Sequence, residues 1–93
     1  MGLVGLGLVI VFHFTEKGRL PVLSREEFAE IRKKFLEVLK DYPDVTFYGT
    51  WIDDRGMGIC LWEAPSADVV KEIVKKALGQ PPVDPVIEVK KVL

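Results

Sequence analysis

A chain of 93 residues with 48% hydrophobic and 29% charged side chains holds material for one core and is too short for two domains. Its 13 basic residues against 14 acidic leave a net charge of −1, which removes the electrostatic ground for a nucleic-acid or anionic-membrane partner. The single cysteine, Cys60, excludes an intramolecular disulfide, and the chain is expected in the cytoplasm.

Residues 8–14 form a continuous apolar run, rich in β-branched and aromatic side chains, that reads as a central strand. The glycine-spaced prefix before it, with Gly2, Gly5 and Gly7, reads either as an extension pairing with a neighbouring chain or as a frayed end. This apolar start has no basic n-region and no cleavage pattern, and it is too short to span a bilayer, so no targeting segment or membrane anchor is expected. Residues 15–23, with Gly18 and Pro21, read as a loop. Ser24 and Glu27 then form the S-x-x-E capping box that opens a helix. Phe28, Ile31, Phe35, Leu39 and Tyr42 recur at helical spacing as its apolar stripe, and Pro43 limits its length.

Residues 45–64, VTFYGTWIDDRGMGICLWEA, read as a hairpin turning at Asp53-Asp54-Arg55-Gly56. That loop length sets a register in which Phe47 faces Trp62, Gly49 faces Cys60 and Trp51 faces Gly58. On the reverse face Tyr48 meets Leu61, Thr50 meets Ile59 and Ile52 meets Met57. Both faces are apolar, so each needs a cover. Ser66 caps a second helix with Asp68 in its first turn. Its stripe is Val69, Val70, Ile73, Val74, Ala77 and Leu78, and Gly79 closes it. Pro81, Pro82 and Pro85 stiffen the way to a last run, residues 86–93, whose Glu88, Lys90 and Lys91 mark an edge strand. The order β-α-β-β-α-β is the ferredoxin-like arrangement: an α+β fold with a four-stranded antiparallel sheet, two helices on one face and the other face open.

On the first strand Leu8, Ile10, Phe12 and Phe14 are the larger apolar set and are expected to pack on the helices. Val9, Val11 and His13 then point to the open face, with Phe47, Trp51, Cys60 and Trp62 beside them. His13, Phe47, Trp51, Cys60 and Trp62 either line a pocket for a planar or apolar small molecule, or form the buried centre of a sheet-to-sheet homodimer. His13, the only histidine, is a hydrogen-bonded structural residue, a general base or a metal ligand; Glu16, Asp53, Asp54 and Glu63 add no metal-ligand spacing to it. No Cys/His nucleophile pair is expected, because Cys60 lies mid-strand with no base identifiable beside it. GLVGLG precedes a strand rather than a helix, so it is not a phosphate-cradling loop. The absence of Asn and the single Gln, beside many Lys and Glu, suggest a thermophilic source.

The run GMGICLWEAPSADVV at residues 56–70, with Phe12-His13, Thr50-Trp51 and the closing Ile87-Glu88-Val89, resembles a family of small ferredoxin-like proteins that includes nickel-binding members. The resemblance implies the dimeric α+β barrel superfamily, in which two open sheet faces close into one barrel and whose members include small monooxygenases and isomerases. It also implies His13 as the metal-site histidine of the first strand, with Trp51, Cys60 and Glu63 at matching hairpin positions. Gly49 stands where those proteins carry a second histidine, and Lys75 and Gln80 replace later ones. Three functions follow as expectations: a homo-oligomer that binds a small ligand or is structural, without catalysis; a cofactor-free monooxygenase- or isomerase-like enzyme with His13 at an aromatic pocket; and a nickel-binding protein. A closed, side-chain-filled space between the two sheets of such a barrel favours a structural role, whereas an open cavity of roughly a few hundred Å³ there, touching His13, favours a ligand or an enzyme.

Overall fold

The computed structural model describes residues 7–93, so both readings of the prefix at residues 1–6 lie outside the described residues. The elements run β1 (Gly7–His13), α1 (Arg25–Leu39), β2 (Thr46–Ile52), β3 (Gly58–Ala64), α2 (Ala67–Leu78) and β4 (Val86–Val89). All pairings are antiparallel, and the sheet order is β2-β3-β1-β4. This is the ferredoxin-like α+β fold, with β1 inside the sheet and the charge-bearing β4 on an edge. No helix among the described residues is long and apolar enough to cross a membrane.

The helix ends follow their local chemistry. The Ser24 side chain accepts from the Glu27 amide while Glu27 Oε1 accepts from the Ser24 amide at 2.9 Å, satisfying two free donors reciprocally. Ser66 caps α2 through the Val69 amide alone, without the reciprocal bond, and Gly79 ends it in the left-handed conformation at φ 87°. α1 stops at Leu39, earlier than Pro43 requires. The next residues tighten into i→i−3 bonds, so Tyr42 packs on the core from a turn rather than from the helix.

The two helices cover one face of the sheet, and it is the face opposite to the one expected. Val9, Val11, Cys60, Trp62 and Ala64 are buried against Phe35 of α1 and Val70, Ile73 and Val74 of α2. The size of the β1 set alone does not decide the matter, because volume is filled jointly by all the strands. Trp62 is fully buried. Its ring lies 4.4 Å from that of Phe47 and meets Phe35 edge-on at 5.5 Å, and this aromatic cluster needs a helical layer over it. The short Val9, Val11 and Ala64 around it let the helices approach. Ile10 and Phe12 are consequently on the uncovered face, paired with Leu61 and Ile59.

The hairpin register also changes partway. Phe47 faces Trp62 as expected, but Gly49 then faces Leu61, Thr50 faces Cys60 and Trp51 faces Ile59. Tyr48 is the extra residue of a β-bulge, anchored by its hydroxyl donating to Glu63 at 2.6 Å, and Gly49 takes up the kink at φ 145°. One added residue inverts the parity of all that follows. Thr50 therefore turns towards the helices beside Cys60, and Trp51 turns to the uncovered face, where it is 55% exposed.

Candidate functional site

A cavity of about 730 Å³ opens between the helix-facing side of the sheet, α1, the end of α2 and the loops before α1 and after α2. His13, Phe47, Trp51, Cys60 and Trp62 all border it. The residues singled out from sequence thus meet at one cavity, but on the opposite side of the sheet from the one expected. Trp51 reaches it only at the sheet edge, since its register places it with Ile59.

The polar centre is built by strand register. Gly58 stands opposite His13, and Cys60 lies one diagonal step along β3, on the same face. With no side chain across from it, the imidazole leans towards the thiol, and His13 Nε2 lies 3.0 Å from Cys60 Sγ. His13 Nδ1 lies 2.9 Å from the Gly18 carbonyl, which can only accept; the ring proton is therefore assigned to Nδ1, and Nε2 accepts from the thiol. The parity change brings Thr50 Oγ1 within 2.9 Å of the same sulfur, where its hydroxyl donates. Contrary to expectation, Cys60 does have a base beside it. Burial pushes its thiol up to about 11, against a smaller lowering by the Thr50 hydrogen bond, so at neutral pH it is a thiol that donates a hydrogen bond to His13 rather than a thiolate.

Asp84, which sequence reading passed over among its prolines, positions the loop that completes this centre. The residue is 5% exposed, and its carboxylate accepts from the Phe14 amide at 2.5 Å, the Thr15 amide at 2.9 Å and the Thr15 hydroxyl at 2.5 Å. Gly18 packs directly against it; any side chain there would overlap the carboxylate. The turn from Thr15 thus presents the Gly18 carbonyl to His13. Further along, the Leu20 amide bonds to the Gly56 carbonyl at 2.9 Å, tying the loop to the hairpin turn.

The Thr15 hydrogen bonds, helped by the Phe14 amide and the charge of His13, hold the Asp84 carboxyl below its usual value of 3.8 against an opposing effect of burial. A depressed acid contributes stability above the unfolded-state value and loses it as the pH falls through the folded-state value. Asp84→Asn should therefore melt below the parent at neutral pH. The difference should shrink towards zero as the pH drops below about 4, the ordinary carboxylate range. Melting curves followed by circular dichroism between neutral and acid pH check this, and a gap that stayed constant across that range would contradict the role given to Asp84.

Imidazole and thiolate are both donors for soft or borderline divalent metals, but this centre offers one imidazole and one sulfur, and that sulfur is held as a thiol. Among the described residues no group of three or more His, Cys, Asp or Glu side chains is placed to hold an ion.

The architecture and this cavity define a small ferredoxin-like protein with a polar centre sunk in an aromatic wall. Residues 9–89 match the model of the family described as nickel responsive protein SCO4226-like, and the chain belongs to that family. The crystal structure of SCO4226 from Streptomyces coelicolor A3(2) is similar to it at 26% identity and a TM-score of 0.69, covering 92% of this chain and 99% of that one. No curated protein matches the chain.

Proposed function

We propose that this protein is a homo-oligomeric, non-catalytic binding member of the nickel-responsive family, working in the cytoplasm, and that it holds a small organic ligand in the cavity between sheet and helices. The observation that carries this reading is the cavity itself. At about 730 Å³ it has the size typical of small-molecule sites, and it combines an aromatic wall with a few convergent polar groups in His13, Cys60 and Thr50. Assembly is supported by the other side of the sheet. Ile10, Phe12, Trp51, Ile59, Leu61 and Ile87 lie there, and neither helix covers them.

A nickel-binding reading has its own support in the family match and in the 3.0 Å approach of His13 Nε2 to Cys60 Sγ. With two donors per chain, affinity should be weaker than about micromolar. One set of titrations tests both readings. The neutral fluorophore N-phenyl-1-naphthylamine should bind once per chain, and Ile31→Trp, which fills the cavity wall, should abolish that binding while the protein stays folded. Fluorophore binding untouched by Ile31→Trp, or none at all, would sink the cavity reading. Nickel binding tighter than about micromolar, and lost in both His13→Gln and Cys60→Ser, would make the metal reading the primary one.

A further inference from the structure

The charge around the cavity has one sign. Lys17, Arg19 and Arg32 border it, and among the described residues no aspartate or glutamate does, although acids outnumber bases in the chain 14 to 13. Among the described residues, five other cations sit within ion-pair distance of a carboxylate, on Glu30, Glu37, Asp53, Asp68 and Glu72. Lys17, Arg19 and Arg32 are among the eight described cations without such a partner, and they are the ones that border the cavity. Asp53 feels the charge of Arg19, but the Met57 and Arg55 amides and the Arg55 guanidinium already hold its carboxylate.

These cations are also placed by the fold. The Arg19 amide donates to the Thr15 carbonyl at 2.8 Å, in the turn that Asp84 clamps, and the next residue is tied to the hairpin at Gly56. Arg19 is therefore held half-buried at the cavity rather than free in solvent. Arg32 comes from α1, one residue after Ile31 of the cavity wall and one turn after Phe28. Arg32 is exposed where Arg19 is half-buried. A guanidinium without a carboxylate and half-desolvated, as that of Arg19 is, gains most from an anion that presents two oxygens to it.

Resting on the cavity reading, we propose that the ligand is an organic acid: an aromatic or otherwise apolar body that packs against Phe28, Ile31 and Phe47, with one carboxylate taken by Arg19 and Arg32 and steered by Lys17. The aromatic wall supplies the affinity common to any apolar ligand, and the guanidinium pair supplies the selection by charge.

Three probes of one shape separate these contributions: 2-naphthoate, the neutral 2-naphthylmethanol and the cationic 2-naphthylmethylammonium, titrated into the full-length protein by calorimetry at low and high salt. Naphthoate should bind at least about tenfold more tightly than the alcohol and more tightly still than the ammonium. That advantage should shrink with added salt, as an interaction between charges near solvent does. In the Arg19→Gln/Arg32→Gln double variant, verified as folded by its melting curve, naphthoate and alcohol should come within about threefold of each other. Equal binding of all three probes by the parent overturns the proposal and leaves the cavity reading standing. So does a naphthoate preference that survives in the double variant. If none of the three binds, both fall.

Discussion

Trp62→Ala should remove about 3–5 kcal/mol of unfolding free energy, the range for truncating a large aromatic side chain inside a packed core. Trp62 has no exposed surface, it contacts Phe47 and Phe35 through its ring, and it lies between Val9 of β1 and Phe47 of β2 in the sheet. Its truncation would leave both aromatic neighbours facing a void. Domains of this size are stable by only about 5–15 kcal/mol in total, so the variant should be close to unfolding at ambient temperature. Trp62→Phe should lose much less. The indole Nε1 is buried with no hydrogen-bond partner, so replacing it orphans nothing and removes a polar group that gains no compensation where it is. Urea unfolding followed by far-ultraviolet circular dichroism measures both. A loss under about 1 kcal/mol for the alanine variant would mean that the aromatic cluster is not the centre of the core.

Leu61→Arg should leave the fold in place and break the assembly. Leu61 faces Ile10 across one ladder and Gly49 across the other, in the middle of the face that the helices leave uncovered. Arginine there reaches water in an isolated chain but is buried without a counter-charge against a second copy, a cost of several kcal/mol per interface. Sedimentation at micromolar concentration should show the parent as a dimer or larger, and the variant as a monomer with association weakened by at least about a hundredfold. A monomeric parent, or a variant that assembles as the parent does, would reject the homo-oligomer. The two substitutions make a pair, since Trp62 and Leu61 are sequence neighbours on opposite faces of β3. One should strike stability and the other association.

The element order, both helix caps, the Gly79 terminus and the edge character of β4 were legible because each depends on a few adjacent residues. Which face of the sheet the helices take was not. Leu8, Ile10, Phe12 and Phe14 outweigh Val9, Val11 and His13 on β1, yet the choice belongs to Trp62 on β3 and to its fit with Phe47 and Phe35, which pools volumes from distant parts of the chain. The bulge at Tyr48 escaped for a related reason: Gly49 was visible as space in a strand, but not as the residue that lets the register slip. The five candidate residues do border one cavity, because alternation groups them correctly whichever face is chosen, except for Trp51 beyond the bulge. Thr50, Asp84, Arg19 and Arg32 were missed. Nothing local marks Thr50 as facing Cys60, and an aspartate between prolines looks like a solvated turn until Phe14 and Thr15 arrive from the other end of the chain.

That meeting bears on the way the protein is made. The carboxylate of Asp84 reaches back 69 residues to the Thr15 amide, and β1 has as its neighbours the two strands β3 and β4 that follow it at a distance. During synthesis β1 leaves the ribosome before β3 and β4 and therefore waits with both edges unpaired by them until they follow. Closing such long loops comes before any of the contacts that reward it, which slows folding relative to a chain of local contacts. For that interval an apolar strand with free edges is a template for pairing with other nascent chains. Truncations before Asp84, which lack both β4 and the carboxylate that clamps the Gly18 loop, should thus accumulate as aggregates rather than as folded fragments.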